Sequence, residues 1–146
     1  MLGTRTVSAL ALAAFLLPIG AIASPPSDAL PLSRIVAALE ASGEVERFRE
    51  IEWDNAGFWE VEYFRPDGAR VELRLDPLVL PATAEPGGEG RLPLSQILAQ
   101  LEASGDVAWF DEIEWDSDGY WEIEFVRPNG AEVEVNIDAT TGERRP

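Results

Sequence analysis

The chain has 146 residues and a formal net charge of −16 at neutral pH, with no cysteine and no histidine, and all 11 of its basic residues are arginine. Such a composition leaves no thiolate nucleophile, no Ser-His or Cys-His dyad and no usual zinc ligand set. Nucleic acid and anionic lipid repel a chain this acidic, so neither is expected as a partner.

Met1 to Ala23 reads as a secretory signal peptide: Arg5 in the leading segment, an apolar run from Val7 to Leu17, and Ala21-Ile22-Ala23 as an A-x-A cleavage site. The run is about 11 residues, short of the roughly 20 that span a bilayer. Cleavage, a periplasmic or secreted location and no membrane insertion afterwards are therefore expected. Residues 24–30 read as a short flexible lead-in.

From Pro31 the sequence begins to repeat itself. Pro31–Asp76 matches Pro93–Asp138 without a gap, with about 28 of 46 positions identical. Each copy opens Pro-Leu-Ser, with Ser33 and Ser95 expected as helix N-caps. Ile35, Val36 and Leu39, or Ile97, Leu98 and Leu101, then give a narrow apolar stripe on a short helix. Ser42-Gly43 and Ser104-Gly105 end it, glycine supplying the left-handed C′ position.

A hairpin follows, 50–63 in the first copy and 112–125 in the second. Ile51, Trp53, Trp59, Val61 and Tyr63 share one parity; Glu50, Glu52, Glu60 and Glu62 share the other. This alternation predicts a strand pair with one buried and one solvated face. The Asn55-Ala56-Gly57 loop sets Trp53 opposite Trp59 and Ile51 opposite Val61. A second turn, Pro66-Asp67-Gly68, sets Tyr63 opposite Val71, Val61 opposite Leu73 and Trp59 opposite Leu75. Phe48 and Phe110 break the parity; a bulge, or a loop tucked under the helix, would return them to the core.

The expected fold class is α+β: two tandem repeats, 31–80 and 93–146, each a short helix packed on a three-stranded antiparallel meander, joined by a Pro/Gly/Glu-rich linker at 81–92. A unit of this size is near the lower limit for independent folding, and no disulfide assists it. The copies are therefore expected to pack on one another or to share an extended sheet.

The capped helix, the acidic hairpin with its central Gly-aromatic-Trp-Glu and the final strand running into Asp-x-x-Thr-Gly resemble the PepSY domain. The second copy carries Gly119-Tyr120-Trp121-Glu122, Asn129-Gly130 and Asp138-Ala139-Thr140-Thr141-Gly142. The first carries Gly57-Phe58-Trp59-Glu60 and Asp67-Gly68 but departs after Asp76, where Pro77 replaces the Thr-Gly turn. The resemblance implies a helix on an antiparallel sheet, an exported or cell-surface location, and an inhibitory or regulatory binding role such as that of peptidase propeptides.

No catalytic site, cofactor or metal site is expected. Asp116-Ser117-Asp118-Gly119 opens like a calcium loop, but the twelfth position is Arg127 rather than a carboxylate. The glutamates are the better candidates. Glu50, Glu62 and Glu72 should form one cross-strand row and Glu112, Glu124 and Glu134 its equivalent, the first partly offset by Arg70 and Arg74 on the same face. A plain solvated face screened by salt accounts for such rows; so does a surface for a basic partner or for cations. Trp53 and Trp115 are expected to be half-exposed at the turn end, with Phe58 and Tyr120 on the opposite face. The candidate partner-binding face is accordingly Glu112, Glu114, Glu122, Glu124, Glu134, Tyr120, Trp115, Phe58 and Trp53. The expected function is an exported non-catalytic binding module that inhibits or regulates an envelope or secreted protein. The alternative is an acidic envelope protein that binds cations with low affinity.

Overall fold

A computed structural model describes residues 23–81 and 92–146. The expected signal peptide except its last residue, Ala23, and most of the expected linker lie outside the described residues. Two helices and six strands follow in chain order: α1 (Leu32–Ala41), β1 (Arg47–Asp54), β2 (Phe58–Phe64), β3 (Arg70–Leu75), α2 (Leu94–Ala103), β4 (Trp109–Asp116), β5 (Tyr120–Val126) and β6 (Glu132–Asp138). The class is α+β with two repeats, and their strands form one antiparallel sheet in the order β3-β2-β1-β4-β5-β6.

Within each repeat the turns set the register. Ile51 faces Val61, Trp53 faces Trp59 and Trp59 faces Leu75; Ile113 faces Ile123, Trp115 faces Trp121 and Trp121 faces Ile137. Gly57 and Gly119 close the hairpin loops at φ of 97° and 89°, a region that side chains rarely enter. Phe48 and Phe110 regain the core through bulges between Phe48 and Glu50 and between Phe110 and Glu112. Each bulge inserts one residue, Arg49 or Asp111, and so shifts the phenylalanine onto the apolar face.

The two repeats meet along β1 and β4. Ile51 faces Ile113, flanked by Glu50 opposite Glu114 and Glu52 opposite Glu112. Ile51 and Ile113 are equivalent positions, and the flanking pairs exchange about them, as in a two-fold dimer. Both helices cover one face of the sheet, burying Ile35, Val36, Leu39, Ile97 and Leu98 against Ile51, Val61, Ile113 and Ile123. At about 1.5–3 kcal/mol for each fully buried large aliphatic, this shared layer stands in for the disulfides the chain lacks.

Two expectations are corrected. Pro31 and Pro93 occupy the N-cap positions, and neither helix has a side-chain cap from its own first residues. Ser33 and Ser95 lie inside the first turn and bind the far end of the other helix. The Ser33 N–H (3.2 Å) and hydroxyl (2.5 Å) donate to the Glu102 carboxylate. Reciprocally, the Ser95 N–H (3.2 Å) and hydroxyl donate to Glu40. The open N–H groups of each helix are thus satisfied by a glutamate from the other repeat. Burial raises the pKa of Glu40, opposed by its bonds to Ser95 and to the Leu94 N–H.

The second correction is Trp53, which is buried rather than half-exposed. Its ring meets Trp59 edge-on at 5.1 Å, and its indole N–H donates to the carbonyl of Ala23. Ala23, the last residue of the expected signal peptide, reaches the turn end of the first hairpin, its N–H donating to the Asn55 Oδ1 (3.0 Å). Trp115 stays half-buried, edge-on to Trp121 at 4.9 Å.

Candidate functional site

The face of the sheet away from the helices belongs to glutamate. Because β1 pairs with β4, the rows of the two repeats run into each other. One row crosses all six strands as Glu72, Glu62, Glu50, Glu114, Glu122 and Asn136. The next runs Arg74, Glu60, Glu52, Glu112, Glu124 and Glu134. Like charges directly opposite each other cost up to about 1 kcal/mol a pair, so this arrangement opposes folding unless cations intervene.

In the first repeat they do. Glu62 is buried beneath Arg49 (3.0 Å) and Arg70 (2.6 Å), and Arg49 also reaches Glu50 at 2.7 Å. The Arg74 guanidinium lies 4.7 Å from the Phe58 ring centre. In the second repeat the equivalents of Arg49, Arg70 and Arg74 are Asp111, Glu132 and Asn136. Two of these three substitutions reverse the charge. Asp111, Glu124, Glu132 and Glu134 instead line a shallow hollow of about 230 Å³.

The electrostatic consequence is concentrated at this end. Burial, then Glu124, Glu50, Glu52 and Glu114, carry the Glu112 carboxyl from its ordinary 4.5 to about 7. Glu124 is raised by burial and then by Glu134 and Asp111, and Glu122 by burial and then by Glu134 and Glu114. Asp111 is raised by burial and by Glu132. Oxygens of Glu122, Glu124 and Glu134 all lie within 4.8 Å of one another, a spacing a cation can bridge.

Of the candidate face, Glu112, Glu114, Glu122, Glu124 and Glu134 lie together in the two rows. Phe58 and Tyr120 are on the same side, opposite Asp54 and Asp116 at the hairpin ends. Trp53 and Trp115 are not. They lie on the helix side, packed on Trp59 and Trp121, and take no part in the acidic surface. Inspection of the sequence missed Asp111, because the bulge that turns it onto this face was one of two open readings of the Phe110 parity break. Glu132 and Asn136 are legible from the register as the residues that stand where the first repeat has Arg70 and Arg74.

Tyr120 is partly occupied by the chain's own tail. Arg145 sits 5.1 Å from its ring centre and pairs with Asp138 at 2.9 Å. The Thr141 and Thr140 N–H groups, with Arg145, hold the Asp138 carboxyl down at about 2. A separate cleft of about 550 Å³ lies between the residues before α1 and the start of β4, with Trp59, Trp109 and Phe110 in its wall. It opens at the end of the helix layer, not on the glutamate face.

A helix on a three-stranded antiparallel meander, repeated at a fixed offset, is matched by a family model described as Peptidase propeptide and YPEB domain, PepSY, over residues 91–143. A second model of the same description matches residues 7–85. The chain belongs to the PepSY family. Its two repeats are a tandem pair of PepSY domains; domains of this family are of propeptide and inhibitor type, bind peptidases or other proteins and occur in exported bacterial proteins. Among the described residues no helix is long and apolar enough to cross a membrane. No curated protein matches the chain.

Proposed function

We propose that this tandem PepSY protein is an exported, non-catalytic module that binds a basic surface of a secreted or envelope protein, a peptidase foremost, and inhibits or regulates it. The N-terminal signal sequence read above supports the location. The observation that carries the binding mode is the charge reversal from Arg49 and Arg70 to Asp111 and Glu132. It leaves one end of a continuous glutamate surface with unfavourable energy that a cationic partner would release. Glu112, Glu114, Glu122, Glu124 and Glu134 would supply the charge, and Tyr120 a flat contact at the rim.

The test is binding of an arginine-rich peptide, and of proteins captured from the native envelope fraction, to the wild type and to a Glu112→Gln, Glu124→Gln, Glu134→Gln triple variant. The triple variant should lose the peptide and the captured partner while melting higher than the wild type. Equal capture by both proteins would overturn the assignment of this face.

The spacing of Glu122, Glu124 and Glu134 favours a second reading, that the same face binds divalent cations with low affinity. Millimolar calcium would then raise the melting temperature by mass action, and the triple variant would not respond. An unchanged wild-type melting temperature removes this reading and leaves the first intact.

A further inference from the structure

We infer that β3 is an interface for a second copy of this chain, the two β3 strands pairing antiparallel about a two-fold axis at Leu73. The inference does not depend on the glutamate-face reading.

The two ends of the sheet are treated differently. At β6 the tail turns back and covers the edge: the Asp138 N–H donates to the Glu143 carbonyl (2.9 Å), the Arg145 N–H to the Asn136 carbonyl (2.8 Å), and Ile137 bridges Arg144. Shifted by one repeat, Asn136 and Asp138 are Arg74 and Asp76. There the chain departs at Pro77, and no returning strand follows among the described residues. Among the described residues, the edge that the second repeat closes with its own tail is open in the first.

The geometry of that edge follows from the β2–β3 turn. The Arg65 N–H donates to the Ala69 carbonyl (2.9 Å), which directs alternate residues 69, 71, 73 and 75 toward β2. Arg70, Glu72 and Arg74 therefore present their N–H and C=O groups outward, and among the described residues none of these groups has a backbone partner. An exposed edge of this kind is a template for another strand.

Charged side chains ordinarily guard an edge by repelling a second copy. The order Arg70-Val71-Glu72-Leu73-Arg74-Leu75-Asp76 does the reverse when set antiparallel to itself with Leu73 opposite Leu73. Glu72 then faces Arg74 twice, with the ladder hydrogen bonds falling on that pair, and Arg70 comes opposite Asp76, whose carbonyl is already engaged by the Val79 N–H (3.2 Å). On the helix side the half-buried Val71, Leu73 and Leu75 meet Leu75, Leu73 and Val71. Moving the axis to Glu72 or to Arg74 sets like charges against each other. Leu78, Val79 and Leu80, at 48%, 59% and 41% exposure, follow directly at the end of the same edge. Both glutamate faces end on one side of the joined sheet.

The test is sedimentation equilibrium of the mature chain, with cysteine cross-linking in a protein that has none of its own. The wild type should be dimeric at tens of micromolar. Glu72→Arg and Arg74→Glu should each be monomeric, and their equimolar mixture should recover dimer because opposite charges then face across the axis. Oxidised Leu73→Cys should form a covalent dimer, since directly opposed residues that do not exchange hydrogen bonds lie about 4.5 Å apart between Cα atoms, within disulfide reach. Leu75→Cys, opposite Val71, should not. Loss of dimer through misfolding would show as loss of the melting transition, which the Leu73→Cys cross-link does not rely on. A wild type that stays monomeric to several hundred micromolar, or a Leu73→Cys that cross-links no better than Leu75→Cys, overturns the interface.

Discussion

Glu112→Gln is the perturbation that most directly reads the energy stored in the acidic face. Glu112 faces Glu124 on one side and Glu52 on the other, and its carboxyl is carried from 4.5 to about 7 by burial first and by its neighbours second. Taken whole, such a rise is about 3 kcal/mol against folding above pH 7. Glu112 is only half-buried, so solvent screening reduces this to about 1 kcal/mol. A raised acid pKa means that the folded state holds the proton more tightly than the unfolded chain. The penalty is full above pH 7, shrinks as pH falls through 7, and is gone below about 4.5. Urea or thermal melts at pH 8 and low salt should therefore show Glu112→Gln more stable than the wild type by about 1 kcal/mol, roughly 3–6 °C for a domain of this size. At pH 4.5 the two should coincide, and 0.5 M salt should shrink the gain at pH 8. A variant no more stable at pH 8 and low salt, or a gain that does not change with pH, would refute the electrostatic account.

The remaining predictions concern the core and the joint between repeats. Trp59→Ala and Trp121→Ala should each cost about 3–5 kcal/mol in urea melts, since both rings are buried opposite Leu75 and Ile137. Ser33→Ala should cost about 1–2 kcal/mol by leaving a part-buried Glu102 carboxylate short of a donor. A double-mutant cycle with Glu102→Gln should show coupling between the two sites. The separate fragments 24–82 and 88–146 should melt far below the intact chain, because each loses the pairing of residues 50–52 with 112–114 and the packing of the other helix; melting at the parent temperature would show that the β1–β4 joint adds nothing.

Within each repeat nearly all of the register was legible, because two short turns with well-placed glycines and strict alternation leave one consistent pairing. What was not legible depends on chain segments that no local pattern connects. Ser33 sits where a capping residue would, and only the arrival of Glu102, 69 positions on, reveals its different role. Trp53 looks like a turn-end aromatic until Ala23, at the boundary of the expected signal peptide, reaches its indole N–H. The β1–β4 joint has no turn to announce it. Consequently the glutamate rows read as two separate sets of three, whereas the sheet threads them into rows five glutamates long. Asp111 was hidden by the bulge, which moves a residue from one face to the other without changing the sequence pattern around it.

The pairing of Ile51 with Ile113 has a consequence for what the surface can tell a partner. Two free copies meeting in this way would have identical halves, and any change to one would appear in both. Here the halves are one chain, so each can vary alone while the tether keeps its counterpart at an effective concentration that free copies reach only at millimolar levels. Arginine at position 49 and aspartate at position 111 are such a variation. A surface compensated at one end and bare at the other has a direction. A ligand with its positive charge at one end can tell the two ends apart and settle in a single orientation, which symmetric halves could not impose.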